Sequence, residues 1–248
     1  MRLRRLDPDP AEVTPLEAAQ SLHPAEHAPA ARPYVLANMV SSADGHATLA
    51  GKSGGLSNEA DRELFHALRE QVDAVLVGTG TLRTERYGPF VRDPERRARR
   101  EAAGLAPNPI GCTVTRSMVL PDDIPLFQDP DSTIVVYTSS DDEPPDVAAR
   151  LQVTRLPAEM LTLTSALERL RADHDVRSVL CEGGPTMLGA LLVEELVDEL
   201  FLSVAPRLVG GHGLAVVEGP ALPEPAELDR AWVLESDGVL FLRYLAKR

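Results

Sequence analysis

Cysteine is nearly absent from this chain: its 248 residues include two, Cys112 and Cys181. They lie in separate apolar runs, so they read as buried free thiols in a reducing compartment, not as a disulfide. Positive charge is scarce as well. Lys and Arg total 25 against 38 Asp and Glu, a formal net charge of −13. Such a surface repels DNA, RNA and anionic lipid, so none of them is an expected partner. No apolar run approaches the ~18 residues of a membrane span. Met1-Arg2-Leu3-Arg4-Arg5 is basic but no apolar stretch follows it, so it does not read as a secretory signal. A soluble, cytoplasmic protein is expected. Also missing are H-E-x-x-H, C-x-x-C and H-x-E…P-C-x-x-C, which leaves zinc hydrolysis and deamination without ligands. The six histidines (23, 27, 46, 66, 174 and 212) show no ligand spacing, and no metal is expected. There is no G-x-S-x-G elbow and no G-x-x-x-x-G-K-[ST] loop, which disfavours a serine hydrolase and a kinase.

What is present supports a sizeable core, since 44% of residues are hydrophobic. The length suits one large α/β domain with a short appendage. Residues 1–33 hold six prolines (8, 10, 15, 24, 29 and 33) and read as an extended arm. Within it, Thr14-Pro15-Leu16-Glu17 has the pattern of a capping box, with Pro at the first helical position. From Tyr34 onward strands alternate with helices. Tyr34–Met39, Ala74–Gly78, Ile110–Thr115, Thr133–Thr138, Val176–Cys181 and Leu200–Ala205 read as strands. A helix starts near a capping Ser57, a second carries Leu163, Leu167 and Leu170, and a third spans Thr186–Glu195. Residues 92–109 read as an exposed loop or helix, with Arg96-Arg97-Ala98-Arg99-Arg100 as a solvated charged run. Trp232–Glu235 and Val239–Leu245 flank Asp237-Gly238, a hairpin signal. The expected fold class is three-layer α/β/α: a mostly parallel sheet with an antiparallel C-terminal hairpin.

Two glycine-rich turns could carry chemistry. Cys181-Glu182-Gly183-Gly184-Pro185-Thr186 follows a buried strand and opens a helix. Glycines there let backbone approach a ligand, and the helix start offers unpaired N–H groups. Val77-Gly78-Thr79-Gly80-Thr81-Leu82 resembles the opening of a dinucleotide fingerprint. The third glycine is replaced by Arg83 and the later acid is missing, which disfavours a Rossmann domain. Read alone, the first is equally a plain strand–helix connection, and for the second the plain connection is the better reading. Ser42-Ala43-Asp44-Gly45 is ordinarily only a turn. In Glu85-Arg86-Tyr87-Gly88-Pro89-Phe90-Val91-Arg92 an acid precedes arginines able to clamp an anion.

In order, these pieces resemble the reductase domain of bifunctional riboflavin-biosynthesis proteins, which has a dihydrofolate-reductase-like fold. The matching segments are Ser42–Gly45, Ser57–Arg69 with Asp73–Thr81, Glu182–Thr186, Leu196–Leu200 and Ala205–Gly211, and the likeness covers residues 34–246. It implies NADPH-dependent hydride transfer to the ribosyl C1′ of 5-amino-6-(5-phosphoribosylamino)uracil, in which the nicotinamide supplies the chemistry and the protein geometry and charge. It implies cofactor contacts at Gly55, Gly78, Gly80, Thr81 and Glu85 and along Gly183, Gly184, Pro185, Thr186 and Met187, continuing to Ala190. Arg116 is a candidate for the 2′-phosphate of NADPH. Asn38, Ser53, Arg69, Arg92 and Glu182 fall at substrate positions, with Arg69 and Arg92 on the ribose 5-phosphate. Glu85 and Glu182 take the catalytic places. A homodimer is implied.

The chain departs from the family pattern at three positions. Glu85 replaces an Asp, Asn38 replaces a Lys and Gly55 replaces a Trp. Residues 1–33 are too short for the deaminase domain that often precedes the reductase, so a stand-alone reductase or a paralogue with altered substrate is expected. Two other readings stay open: a dihydropterin or dihydrofolate reductase of the same fold, and an NADPH-binding protein without turnover.

Overall fold

Short β-branched and apolar runs form eleven strands, and six α-helices intervene, across residues 1–247, the part of the chain that the computed structural model describes. The first passage holds β1 (Leu3–Asp7), β2 (Ala11–Val13), α1 (Pro15–Gln20), β3 (Tyr34–Ser42) and α2 (Glu59–Arg69). The middle passage holds β4 (Ala74–Leu76), α3 (Thr79–Glu85), α4 (Pro94–Ala102), β5 (Ile110–Thr115), β6 (Thr133–Thr138), β7 (Arg150–Arg155), α5 (Leu163–His174) and β8 (Ser178–Cys181). The last holds α6 (Pro185–Val193), β9 (Glu199–Ala205), β10 (Leu228–Ser236) and β11 (Val239–Ala246). The chain divides into two units, one of residues 1–23, 35–68 and 185 onward, the other of residues 24–34 and 69–184.

In the first unit the strand order is β2-β1-β10-β11-β9-β3. Only β3 and β9 run parallel there, and Asp198 sets their start: its Oδ2 accepts from Val35 N–H at 2.7 Å, and its own N–H donates to Val35 O at 3.0 Å. The β10–β11 hairpin turns at Asp237 and Gly238 as expected, with φ of +50° and +78°. The expected capping box closes α1: Thr14 Oγ1 accepts from Glu17 N–H, and Glu17 Oε2 from Thr14 N–H. Residues 1–33, extended by composition, carry β1 and β2, and β1 pairs along β10 with Leu3 fully buried. The cap of α2 is Asn58, whose Oδ1 accepts from Asp61 N–H at 2.8 Å, not the expected Ser57. Ser57 instead turns its hydroxyl to the Asn58 carbonyl.

In the second unit all neighbours are parallel, in the order β8-β4-β5-β6-β7. The inner strands are buried on both faces, which is why they read as unbroken apolar runs. One face packs Val75, Ile134 and Val136 against Leu82, Phe90 and the 118–127 segment. Asp73 gathers β4 and β8 at their starts, its Oδ2 accepting from Arg177 N–H, Ser178 N–H and Ser178 Oγ at 2.8–3.0 Å. Cys112 and Cys181 are buried free thiols, as expected, and burial pushes both up to about 12.

The arginine run corrects the reading of a solvated segment. Residues 94–102 form α4, capped by Asp93, and its arginines face inward. Arg96 and Arg99 both meet the buried Glu70 carboxylate at 2.7 Å. Arg100 has no exposed surface. Its Nη1 donates to the carbonyls of Arg69 and Val72, where α2 ends, and its Nε to Ala106 O. Three carbonyls thus accept from one side chain, and burial lowers its pKa to about 10. Arg100→Met keeps the aliphatic stem and deserts those acceptors. It is expected to cost about 3 kcal/mol or more in urea denaturation; a loss below about 1 kcal/mol would show that water satisfies them instead.

Candidate active site

Strands β4 and β8 are neighbours, with Leu76 opposite Cys181, and the pairing continues past both ends. Glu182 N–H donates to Leu76 O, and Gly78 N–H donates to Gly183 O, each at 3.0 Å. The two glycine turns found in the sequence therefore lie side by side at the carboxyl ends of parallel strands. Open α/β sheets bind ligands at that end. Gly183 has φ of +83°, a conformation that disfavours any side chain, and the Gly183–Gly184 peptide is cis. A Cβ on Gly184 would stand 3.0 Å from Thr81 Oγ1, whereas one on Gly80 would meet nothing within 4 Å. Together they form a backbone-lined cradle that side chains would fill. Gly78 caps α3 without a side chain.

Beneath the cradle lies a buried ion pair. Arg69 Nε donates to Glu182 Oε1 at 2.6 Å and Nη2 to Oε2 at 2.8 Å, with side-chain exposures of 8% and 1%. The third arm of the fork, Nη1, donates to Phe90 O at 3.0 Å. The guanidinium also lies over two rings, 5.5 Å from the centroid of Tyr87 and 5.3 Å from that of Phe90. Burial alone would lower the Arg69 pKa, but the charge and hydrogen bonds of Glu182 overcome it and raise the value. Burial first, then the Glu182 charge, pushes the Tyr87 phenol well above its usual value, so it keeps its proton.

The second unit thus brings together Arg69, Glu182, Gly78, Thr81, Gly183 and Gly184. Glu85, part-buried at the end of α3, is close enough to Tyr87 for its charge to act on the phenol. Arg92 is exposed and lies against Gly88, where a Cβ would come within 1.6 Å of Nη2. Arg116 is exposed just past β5. The remaining sequence candidates belong to the first unit. Asn38 sits mid-strand in β3, opposite Phe201. Ser53 and Gly55 bound a one-turn 3-10 helix, and Pro185, Thr186 and Met187 open α6. Tyr87 and Phe90, the aromatic walls around Arg69, were missed by the sequence reading. Their one signal was proximity to the Glu85–Arg92 segment.

These observations define the class: an α/β protein whose two glycine turns and buried Arg69–Glu182 pair stand at the carboxyl ends of parallel strands. Residues 33–240 match the RibD C-terminal domain, and the chain belongs to that family. It is 30% identical over 226 residues to a 2,5-diamino-6-ribosylamino-4(3H)-pyrimidinone 5′-phosphate reductase of Methanothermobacter thermautotrophicus, covering 87% of this chain and 99% of that protein. It is 32% identical over 185 residues to the riboflavin biosynthesis protein RibD of Mycobacterium tuberculosis, covering 74% of this chain but 45% of that protein. Among solved structures, a pyrimidine reductase-like protein from Corynebacterium diphtheriae superposes with a TM-score of 0.81 at 23% identity, covering 95% of this chain and all of that one. That likeness establishes the shared fold.

Removing one member of the buried pair strands the other. Arg69→Met and Glu182→Gln are each expected to cost about 3–5 kcal/mol. The double variant should lose less than the sum, by at least about 1 kcal/mol. A urea-denaturation cycle measures this, and additive losses would mean that the two groups do not support each other.

Proposed function

We propose that this chain is an NADPH-dependent pyrimidine reductase of riboflavin biosynthesis, with the activity in residues 34–248. The observation that carries the reading is the paired glycine cradle at the ends of β4 and β8, standing over the buried Glu182. Its fit to a dinucleotide is chemical: the start of a helix at Gly78, no Cβ at Gly80 or Gly184, and Thr81 Oγ1 facing that space. NADPH supplies a hydride when bound.

At the substrate the C1′–O4′ bond of the ribosyl ring opens, and C1′ gains the hydride as the molecule gains one proton, leaving a ribityl chain. Glu182, its carboxylate fixed by the Arg69 fork, offers a rigid acceptor to the substrate. Arg92 is the exposed arginine able to meet the 5′-phosphate bidentately, while Arg69 is committed to Glu182. Ser53 and Asn38 complete the substrate contacts. Glu85 assists the proton, and Arg116 receives the 2′-phosphate of NADPH. Gly55 and the start of α6 belong to the cofactor side. The homodimer and the cytoplasmic setting belong to the same proposal. Among the described residues no helix is long and apolar enough to cross a membrane.

Two pyrimidines deserve trial, the 5-amino-uracil compound and the 2,5-diamino-pyrimidinone named for the archaeal relative. Loss of reduced-nicotinamide absorbance is expected with one or both and not with dihydrofolate. Oxidation with dihydrofolate alone would move the chain to the pterin reductases, and tight NADPH binding without any oxidation would mark it as non-catalytic. Glu85→Gln should lower kcat about 10²-fold if it assists the proton; unchanged turnover removes that role. Arg116→Ala should weaken NADPH about tenfold and leave NADH unchanged. Equal loss for both cofactors would remove the 2′-phosphate assignment.

A further inference from the structure

The motif Ser42-Ala43-Asp44-Gly45, at the exit of β3, has no role in the reading above, yet its carboxylate grips a distant segment. Asp44 Oδ2 accepts from Gly210 N–H at 2.7 Å, and both its oxygens lie 3.1 Å from Val209 N–H. Ser42 Oγ donates to Oδ1 at 2.5 Å, and His46 Nδ1 stands 3.4 Å from the same oxygen. The Ser42 hydroxyl first, then the Gly210 and Val209 amides, holds the Asp44 pKa far below the usual carboxylate range. Residues 207–218 run from this point as a strap. Gly210 and Gly211 turn it through φ of +66° and +70°. Ala47 N–H donates to Leu214 O at 2.8 Å, and Gly213 lies on the His46 ring, where a Cβ would meet Cδ2 at 2.5 Å.

The strap has little apolar anchorage of its own. Leu208 is 81% exposed, Leu214 50% and Val217 42%, so its polar ties decide where it lies. Charge-assisted bonds are the stronger kind, and those at Asp44 are of that kind. Both ends of the strap reach candidate ligand segments of the first unit. Arg207 Nη1 donates to Gly55 O at 2.8 Å, in the Ser53–Gly55 turn. Glu218 N–H donates to Pro185 O at 3.2 Å, at the start of α6. Glu218 O fills the space over Gly189, where a Cβ would come within 2.1 Å.

We propose that Asp44 is a positioning residue: by anchoring the 207–218 strap it sets the placement of the Ser53–Gly55 turn relative to the start of α6, and through it the affinity for the nicotinamide dinucleotide. The identity of that ligand rests on the reductase reading above. With the tie cut, the two segments spend only part of their time correctly placed. Affinity falls by that fraction, while saturating ligand restores the placement and the turnover.

Asp44→Asn keeps the shape and removes the charge. The Kd for NADPH and its KM are expected to rise about tenfold, with kcat within about twofold of the parent. Amide hydrogen exchange should quicken at residues 209–214 and, beyond the strap, at Gly54–Leu56 and Leu188–Ala190. Arg207→Gln cuts only the Gly55 tie; it should reproduce the Kd change and quicken exchange at the turn alone. A merely structural role lowers the active fraction, so kcat would fall with Kd unchanged, and that result overturns the proposal. Faster exchange confined to the strap overturns it too. A parent protein that does not bind NADPH sinks the reductase reading instead, and exchange at the turn and at α6 then decides the strap by itself.

Discussion

The Arg69–Glu182 pair is the constraint on which the candidate site rests. Two opposite charges are taken almost wholly out of water, a state tolerable only because the fork is bidentate and its third arm finds the Phe90 carbonyl. Arg69 closes a helix, and Glu182 leaves a buried strand. Their bond therefore ties Arg69 to the exit of β8, one residue before the glycines. The Tyr87 and Phe90 rings, in edge contact with each other at 6.1 Å, both lie against the guanidinium. A carboxylate held this way has one orientation to offer a ligand, which is what a site needs before any chemistry begins.

Much of this was legible in the chain. Parallel strands buried on both faces leave nearly unbroken apolar runs, so β6 and β8 stood out from composition alone. The capping box at Thr14 and the turn at Asp237-Gly238 are local chemistry, readable wherever they occur. Glycines at strand exits marked the cradle because their purpose, close backbone approach, is a property of the residue itself.

What escaped the reading was direction and partnership. The run Arg96–Arg100 has the composition of a solvated face, yet its partners, Glu70 and the carbonyls at the end of α2, lie outside the run. No local pattern announces them. β1 and β2 hid among prolines because a strand added to an edge needs only a free ladder, not strong propensity. The family resemblance placed Arg69 on the ribose 5-phosphate. That its fork is already taken depends on a carboxylate 113 residues away.

The inward-facing arginines of α4 also change how the molecule meets its ligands. A net charge of −13 already repels phosphates at long range. Arg96, Arg99 and Arg100 count toward the positive total but are spent on Glu70 and on backbone carbonyls, so little of that charge projects outward. An anionic ligand thus approaches uphill and feels attraction only within a few ångströms of exposed groups such as Arg92. Added salt, which usually slows encounters between opposite charges, here screens the repulsion and quickens the approach, while loosening the final grip. The helix that holds Glu70 and the carbonyls of Arg69 and Val72 thus leaves little positive charge to act at long range.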